Sequence, residues 1–391
     1  MRSNGSALKT APLLPRSAVQ NLTTLALGGL PQMYDSEKHL FCYGAKRNGD
    51  ALVNYGLSRT NTLITLIGIR KAELAGNPPP IEMNPAMENL QNTVSQFDKL
   101  GDLGLFLWLS SMSDKATPPA FPAPAALETA LHRHVDAVEL RTMELAWFLA
   151  GVSELATRSD LHPSETRVLR KLADETYQRL CNNQEETGLF LHSSPRHSVS
   201  GRVRSRIASF ADQIYPIYAL SRYSAVFDVE GGTQAALSCA EKLCALQGPC
   251  GQWWWHYDAV DGRVIGRYPV YSVHQDGMAP MAFFALMSAS GKNYAEPIIH
   301  GLNWIFGNNE LNTDLRNEHM SVIWRNIHQS KTDRYVEEAR AFINSSAVIQ
   351  PATGLNILYE CHPYHLGWLL FAFSDPTTES LLATPYGEND R

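Results

Sequence analysis

The chain has 391 residues, 44% of them hydrophobic and 18% charged, so it can bury a large core and is not disordered as a whole. Its formal charge of −6, with no concentrated Lys/Arg stripe, argues against a nucleic-acid-binding surface. Among the six cysteines only Cys239, Cys244 and Cys250 lie close together, without the CxxC pairs of a structural zinc site, so reduced thiols and no metal are expected.

In chain order, the N-terminal stretch Leu22 to Leu30 is broken by threonines and glycines. It reads as neither signal peptide nor membrane span, and a cytoplasmic location is expected. Leu57 to Ile69 is the first segment that is apolar nearly all round, and Leu103 to Leu109, Leu145 to Val152, Ile214 to Leu220, Met278 to Met287 and His365 to Phe373 follow. Between them lie segments with apolar residues on one helical face only: Glu165 to Cys181, Thr233 to Gln247, Tyr294 to Phe306 and Arg334 to Ile343. A helix without a polar side must be covered on both sides, and alternation of the two kinds predicts an all-α fold, an α/α toroid. Six hairpins fit the spacing, and seven are an alternative, as is an irregular helical bundle. The core runs from about residue 55 to 373 within a single domain spanning 1–391. Aromatic and β-branched runs around Asp261-Gly262, from Gln252 to Tyr257 and from Arg263 to Ile265, predict a short β-hairpin at the mouth of the ring. Thr187 to His192 is expected to play a similar part.

One phrase occurs twice. Asp212 and Asp276 each stand four residues before a proline and open an apolar helix, and Asp102, Glu144 and Glu360 stand at comparable helix starts. An acid there has a structural explanation, because it caps backbone N–H groups at the positive end of the helix dipole. In a toroid, however, the same acids meet at one end of the inner ring. Carboxylates facing one cavity raise one another's pKa, the division of labour that glycosidic cleavage needs. Asp276, Asp212, Glu144, Glu360 and His274 are therefore the candidate catalytic residues. Candidate substrate contacts are Gln213, Gln275, Trp253, Trp255, His256, Tyr257, Tyr215, Tyr271, Arg59, Arg267 and His362. The rings would stack on sugar faces and the arginines would pair with an anionic sugar such as a uronic acid. Gln213 and Gln275 have a simpler alternative as partners of the adjacent loops, and at least one tryptophan of Trp253-Trp254-Trp255 is expected in the core. No phosphate-binding loop, nucleophile elbow or dinucleotide fingerprint is present, so no cofactor is expected.

With the strings Tyr55-Gly56-Leu57-Ser58, Phe210-Ala211-Asp212-Gln213, Gln252-Trp253-Trp254-Trp255 and His365-Leu366-Gly367-Trp368, this pattern resembles the α/α-toroid superfamily, in particular uncharacterised bacterial toroid proteins. That superfamily includes six-hairpin glycosidases, sugar epimerases, polysaccharide lyases and terpenoid cyclases. The resemblance implies a glycan-processing enzyme with a bacterial poly- or oligosaccharide as partner, most simply a glycoside hydrolase. A sugar epimerase or lyase, a terpenoid-cyclase-like enzyme and a non-catalytic glycan-binding protein are the alternatives. The sequence lacks the DxDD and DDxxD motifs that cyclase chemistry uses.

Overall fold

A computed structural model of the chain describes residues 16–113, 122, 124–136, 140–194, 204–330 and 354–383. Its helices, in chain order, are α1 (Arg16–Gly29), α2 (Arg59–Leu74), α3 (Asn84–Thr93), α4 (Leu100–Ser111), α5 (Pro124–Asp136), α6 (Thr142–Leu155), α7 (Pro163–Cys181), α8 (Ala211–Phe227), α9 (Glu230–Ala245), α10 (Ala279–Ser290), α11 (Ala295–Ile305), α12 (Pro363–Phe373) and α13 (Pro376–Ala383). Every apolar segment of the sequence is an even-numbered helix, α2 to α12. These six pack side by side in the order α2, α4, α6, α8, α10, α12, and α12 closes back onto α2. Odd-numbered helices lie outside: α7 against α6, α9 against α8 and α10, and α1 against α12. Among the described residues the chain makes six outer–inner hairpins, an α/α toroid. The amphipathic segment Arg334 to Ile343 lies outside the described residues.

Burial follows the side-chain pattern. Inner α4 is buried from Leu100 through Ser110, whereas outer α7 buries only Leu169, Leu172, Ala173, Thr176 and Leu180, one helical stripe. Glycines set the closeness of the ring. A Cβ on Gly68 would overlap the backbone of Gly367 where α2 meets α12, and one on Gly151 would overlap Gly104 where α6 meets α4. At both seams helix backbone touches helix backbone, which only glycine permits.

The ring axis is filled rather than hollow. Trp147 meets Tyr215 at 5.1 Å, Tyr215 meets Trp368 at 5.8 Å, and Trp368 meets Trp108 at 5.5 Å between ring centroids. Trp108 in turn stacks on Tyr218 at 4.6 Å. This aromatic column divides the ring into two ends. At the C-terminal ends of the inner helices lies a cavity of about 670 Å³ to which all six inner helices contribute, including Lys71, Trp108, Glu154, Arg222, Phe284 and Phe371.

Short strands sit at the other end, because several of them run directly into an inner-helix start. The hairpin Leu40–Asn48 with Ala51–Leu57 leads into α2, Ile207–Ser209 into α8, Val270–Tyr271 into the turn before α10, and Glu360–Cys361 into α12. The expected hairpin around Asp261-Gly262 is present, but its first strand is His256–Asp258 rather than Gln252 to Tyr257. Trp253 is held by a side chain instead, its backbone N–H donating to Gln275 Oε1 at 3.3 Å.

Candidate active site

The starts of the inner helices form one continuous polar rim. The first turns of α2 and α4 are joined where Thr60 donates to Asp102 Oδ1 at 2.6 Å. A Cβ on Gly101 would lie 2.7 Å from Trp147 and 3.2 Å from Cγ of Glu144, so Glu144 on α6 lies against the turn that carries Asp102. Asp102 is 3% exposed, and burial raises its pKa against the pull of Thr60, Lys99 and Arg59. Glu144 is half-buried. Next along the rim, the Thr142 N–H at the head of α6 donates to the carbonyl of His192 at 2.9 Å. His192 Nδ1 lies 2.9 Å from Asp212 Oδ2 at the head of α8.

Asp212 closes a capping box. Its carboxylate accepts the N–H and hydroxyl of Ser209, both at 2.8 Å, while its own N–H donates to Ser209 Oγ at 3.3 Å. The sequence signal for this, Ser209-x-x-Asp212, is legible on inspection.

Asp276 is placed differently. A five-residue π-turn, His274–Met278, precedes α10, and this one extra residue per turn rotates the acid inward. Both of its oxygens face His365 Nε2, at 2.7 and 2.9 Å, and both side chains are enclosed. Burial raises the Asp276 pKa, with His365 opposing. The two copies of the repeated phrase are therefore not equivalent. Pro216 lies inside α8, whereas Pro280 directly follows the π-turn that leads into α10.

The rest of the rim is built on α12. Glu360 Oε2 accepts from Tyr55 and from Arg325, both at 3.1 Å, and Lys46 lies 3.5 Å from Oε1. Burial raises Glu360, but Tyr55, Arg325 and Lys46 outweigh it and hold the carboxyl below its ordinary range. His362 Nε2 is 3.5 Å from the Tyr55 hydroxyl and 3.6 Å from Glu360. Burial and Arg325 push the His362 pKa down to about 3, and burial beside Glu360 pushes Tyr55 up to about 12. Gly44 makes this approach possible, since a Cβ there would lie 2.8 Å from the Tyr55 hydroxyl and 3.0 Å from His362. Arg325 stands over the Tyr271 ring at 5.4 Å, Tyr271 meets His274 at 5.2 Å, and His274 stacks with Trp255 at 6.2 Å. Burial pushes the His274 pKa down to about 3.

Several expected contacts take structural roles instead. Gln213 is enclosed, receiving the Phe190 N–H at 2.7 Å and donating to its carbonyl at 2.8 Å. Gln275 is enclosed in the same way between Trp253 and Tyr271. Both follow the alternative of loop partners. Trp253 is buried between Phe210 and Phe283, and Tyr257 is 1% exposed, so neither offers a face to a ligand. Tyr215 is the floor of the mouth, its hydroxyl accepting from Trp368 at 2.8 Å. Asp276 is displaced as a direct acid because both of its oxygens are taken up by His365. Trp255, His256 and Tyr271 remain half-exposed on the rim, and Arg267 is also half-exposed. Arg59 stands over the Phe97 ring at 4.6 Å and donates to the Gln96 carbonyl at 3.4 Å. Asp102, Tyr55 and His192 join the rim without having been singled out as site residues, as do Tyr43 and Tyr364, whose rings meet His362 edge-on at 5.2 and 5.7 Å. Asp102 carried the helix-start signal, but no local pattern marks Tyr43 or Tyr55, which the hairpin brings in from far away in the sequence.

No protein-family model and no curated protein matches the sequence. Solved structures do match in fold. An unsaturated glucuronyl hydrolase specific for heparin superposes with a TM-score of 0.59 at 14% identity, covering 94% of this chain and 99% of its own. Unsaturated glucuronyl hydrolase from Streptococcus agalactiae gives 0.57 at 10%, covering 96% and 98%. A possible member of the GH105 family from Salmonella enterica serovar Paratyphi A gives 0.57 at 9%, covering 97% and 98%. The chain thus shares the α/α-toroid fold of these solved structures over nearly its whole length.

Proposed function

We propose that the chain is a glycoside hydrolase whose substrate enters the end of the ring formed by the inner-helix starts. The observation that carries this reading is Asp102 and Glu144 on adjacent helix heads in unlike surroundings. Asp102 is enclosed and raised, suited to hold a proton for the departing glycosidic oxygen. Glu144 is half-buried on the neighbouring helix head and suited to act opposite it as base or nucleophile. Tyr271 and Trp255 supply half-exposed rings, and Arg325 and Lys46 supply positive charge on the far side of the rim. An acidic sugar fits that charge, and the neighbours named as glucuronyl hydrolases support the same substrate class. The axial column packs ring against ring, which weighs against a cyclase chamber at this end. Six free thiols favour a reducing compartment.

A second reading has one supporting observation. The Tyr55 hydroxyl, 3.5 Å from His362 Nε2 and 3.1 Å from Glu360 beside Arg325, is also a proton-transfer arrangement for an epimerase or lyase. Product analysis on a panel of neutral and uronate-terminated oligosaccharides separates them. A new reducing end is expected from hydrolysis, an unsaturated uronate from a lyase, and an inverted centre from an epimerase. Asp102→Asn and Glu144→Gln are each expected to lower kcat by about 10³-fold or more with folding retained. Turnover at wild-type rates in either variant would remove that residue from the chemistry.

A further inference from the structure

We propose that the cavity at the far end of the ring is a ligand site, and that it takes a soluble amphiphile with an apolar body and a single carboxylate head. The proposal is independent of the hydrolase reading, because the aromatic column separates this cavity from the rim. Its volume of about 670 Å³ falls within the roughly 300–1,000 Å³ of small-molecule pockets. One wall is a cluster of rings. Phe371 meets Trp108 at 5.1 Å and Tyr218 at 5.9 Å, and Phe284 and Met281 also line the space. Leu74, at the lip, is 61% exposed. A side chain of that size left in water beside an apolar cavity is stabilised when covered, by about 25 cal/mol per Å² of apolar surface removed from water.

The polar groups of the lining decide the head group. Its aliphatic hydroxyls are committed: Ser111 donates to the Trp108 carbonyl at 2.6 Å, Thr157 to that of Glu154 at 2.7 Å, and Thr378 to that of Asp375 at 2.6 Å. Its carboxylates are engaged as well. Glu154 accepts from Tyr218 and twice from Arg222, and Asp375 accepts the N–H and hydroxyl of Thr377. Two carbonyls at the end of α4 are covered by cations, Ser110 by Arg158 at 3.1 Å and Met112 by Arg70 at 2.9 Å, which offsets the negative end of that helix dipole. What remains is donor capacity. Among the described residues Arg222 Nη1 has no acceptor, while Nε and Nη2 hold Glu154. Lys71 Nζ is 3.7 Å from Asp375 Oδ2, too far for a full hydrogen bond, and its side chain is 33% exposed. A cationic ligand would have to compete for carboxylates that are already paired. A carboxylate instead accepts from Lys71 and Arg222, with its apolar body across Phe371.

Titration calorimetry of the full chain with decanoate, decyltrimethylammonium and decanol, each below its micelle or solubility limit, tests the proposal. Decanoate is expected to bind at one site with a micromolar Kd, and the cationic and neutral analogues at least about 10-fold more weakly. Lys71→Gln is expected to weaken decanoate binding about 10-fold by removing one charge-assisted hydrogen bond. Ala285→Trp, which fills the cavity from the half-buried face of α10, is expected to abolish binding. Leu74→Glu, at an exposed position, provides a second variant should Ala285→Trp misfold, and its like charge at the lip is expected to weaken decanoate by a similar factor of about 10. Absence of decanoate binding to the wild type overturns the proposal, as does equal affinity for either analogue. Wild-type affinity in folded Lys71→Gln or Leu74→Glu overturns it too, by placing the ligand elsewhere on the molecule.

Discussion

Asp276 and His365 are enclosed together, and each leaves the other unsatisfied if removed. Asp276→Ala is expected to cost about 3 kcal/mol, from an orphaned imidazole N–H and a small void. Asp276→Asn keeps an acceptor in place and is expected to cost about 1 kcal/mol. Denaturant midpoints of the two variants check this, and equal midpoints would contradict it. His274 carries a second residue-scale expectation. Its pKa is about 3 in the folded protein against an ordinary value of 6.5. Between those values the unfolded chain holds the extra proton, so stability from this residue is complete above pH 6.5 and is lost as pH falls toward 3. The slope is about 1.4 kcal/mol per pH unit for one histidine. His362 adds a contribution of the same sign. Unfolding free energies of wild type and His274→Phe are expected to run parallel above pH 6.5 and to diverge by that slope as pH falls from 6.5 to 5, and parallel curves throughout would contradict it.

At the scale of elements, the helices were legible because apolar residues on every face leave a segment no choice but burial. The repeated acid-to-proline phrase marked real inner-helix starts at Asp212 and Asp276. It was misleading about their equivalence, because a π-turn adds one residue ahead of α10 and no composition signal announces it. The strand over Gln252 to Tyr257 came out shorter for a related reason. Tertiary bonds from Gln275 and the Leu246 carbonyl hold Trp253 and Trp254 where alternation alone suggested a strand. The glycine seams were equally silent in the sequence, since a helical glycine looks like a weakness until its neighbour is known. Gly367→Val and Gly151→Val are expected to cost about 2–3 kcal/mol each by forcing the helices apart. Urea unfolding reads this out, and unchanged midpoints would mean the seams yield freely.

The whole molecule is a ring plugged by aromatic side chains, with the proposed mouth at one end and a cavity of about 670 Å³ at the other. The architecture was readable from the alternation of helix types. The site was readable only in part, because it joins residues from the Leu40–Asn48 strand through α12, and burial decides which of the many acids and rings face the mouth. That decision moved the emphasis from Asp276 to Asp102 and Glu144. The opposite cavity contains Glu154 and Arg222, but Glu154 is already engaged by Tyr218 at 2.7 Å and by Arg222 at 2.6 Å. Product formation from uronate-terminated oligosaccharides by wild type, Asp102→Asn and Thr157→Trp compares the two ends directly, because Thr157 is exposed and lines the opposite cavity. Loss of turnover in Asp102→Asn with near wild-type turnover in Thr157→Trp is the predicted result. Turnover that survives Asp102→Asn and disappears in folded Thr157→Trp would place the chemistry at the wrong end of the ring.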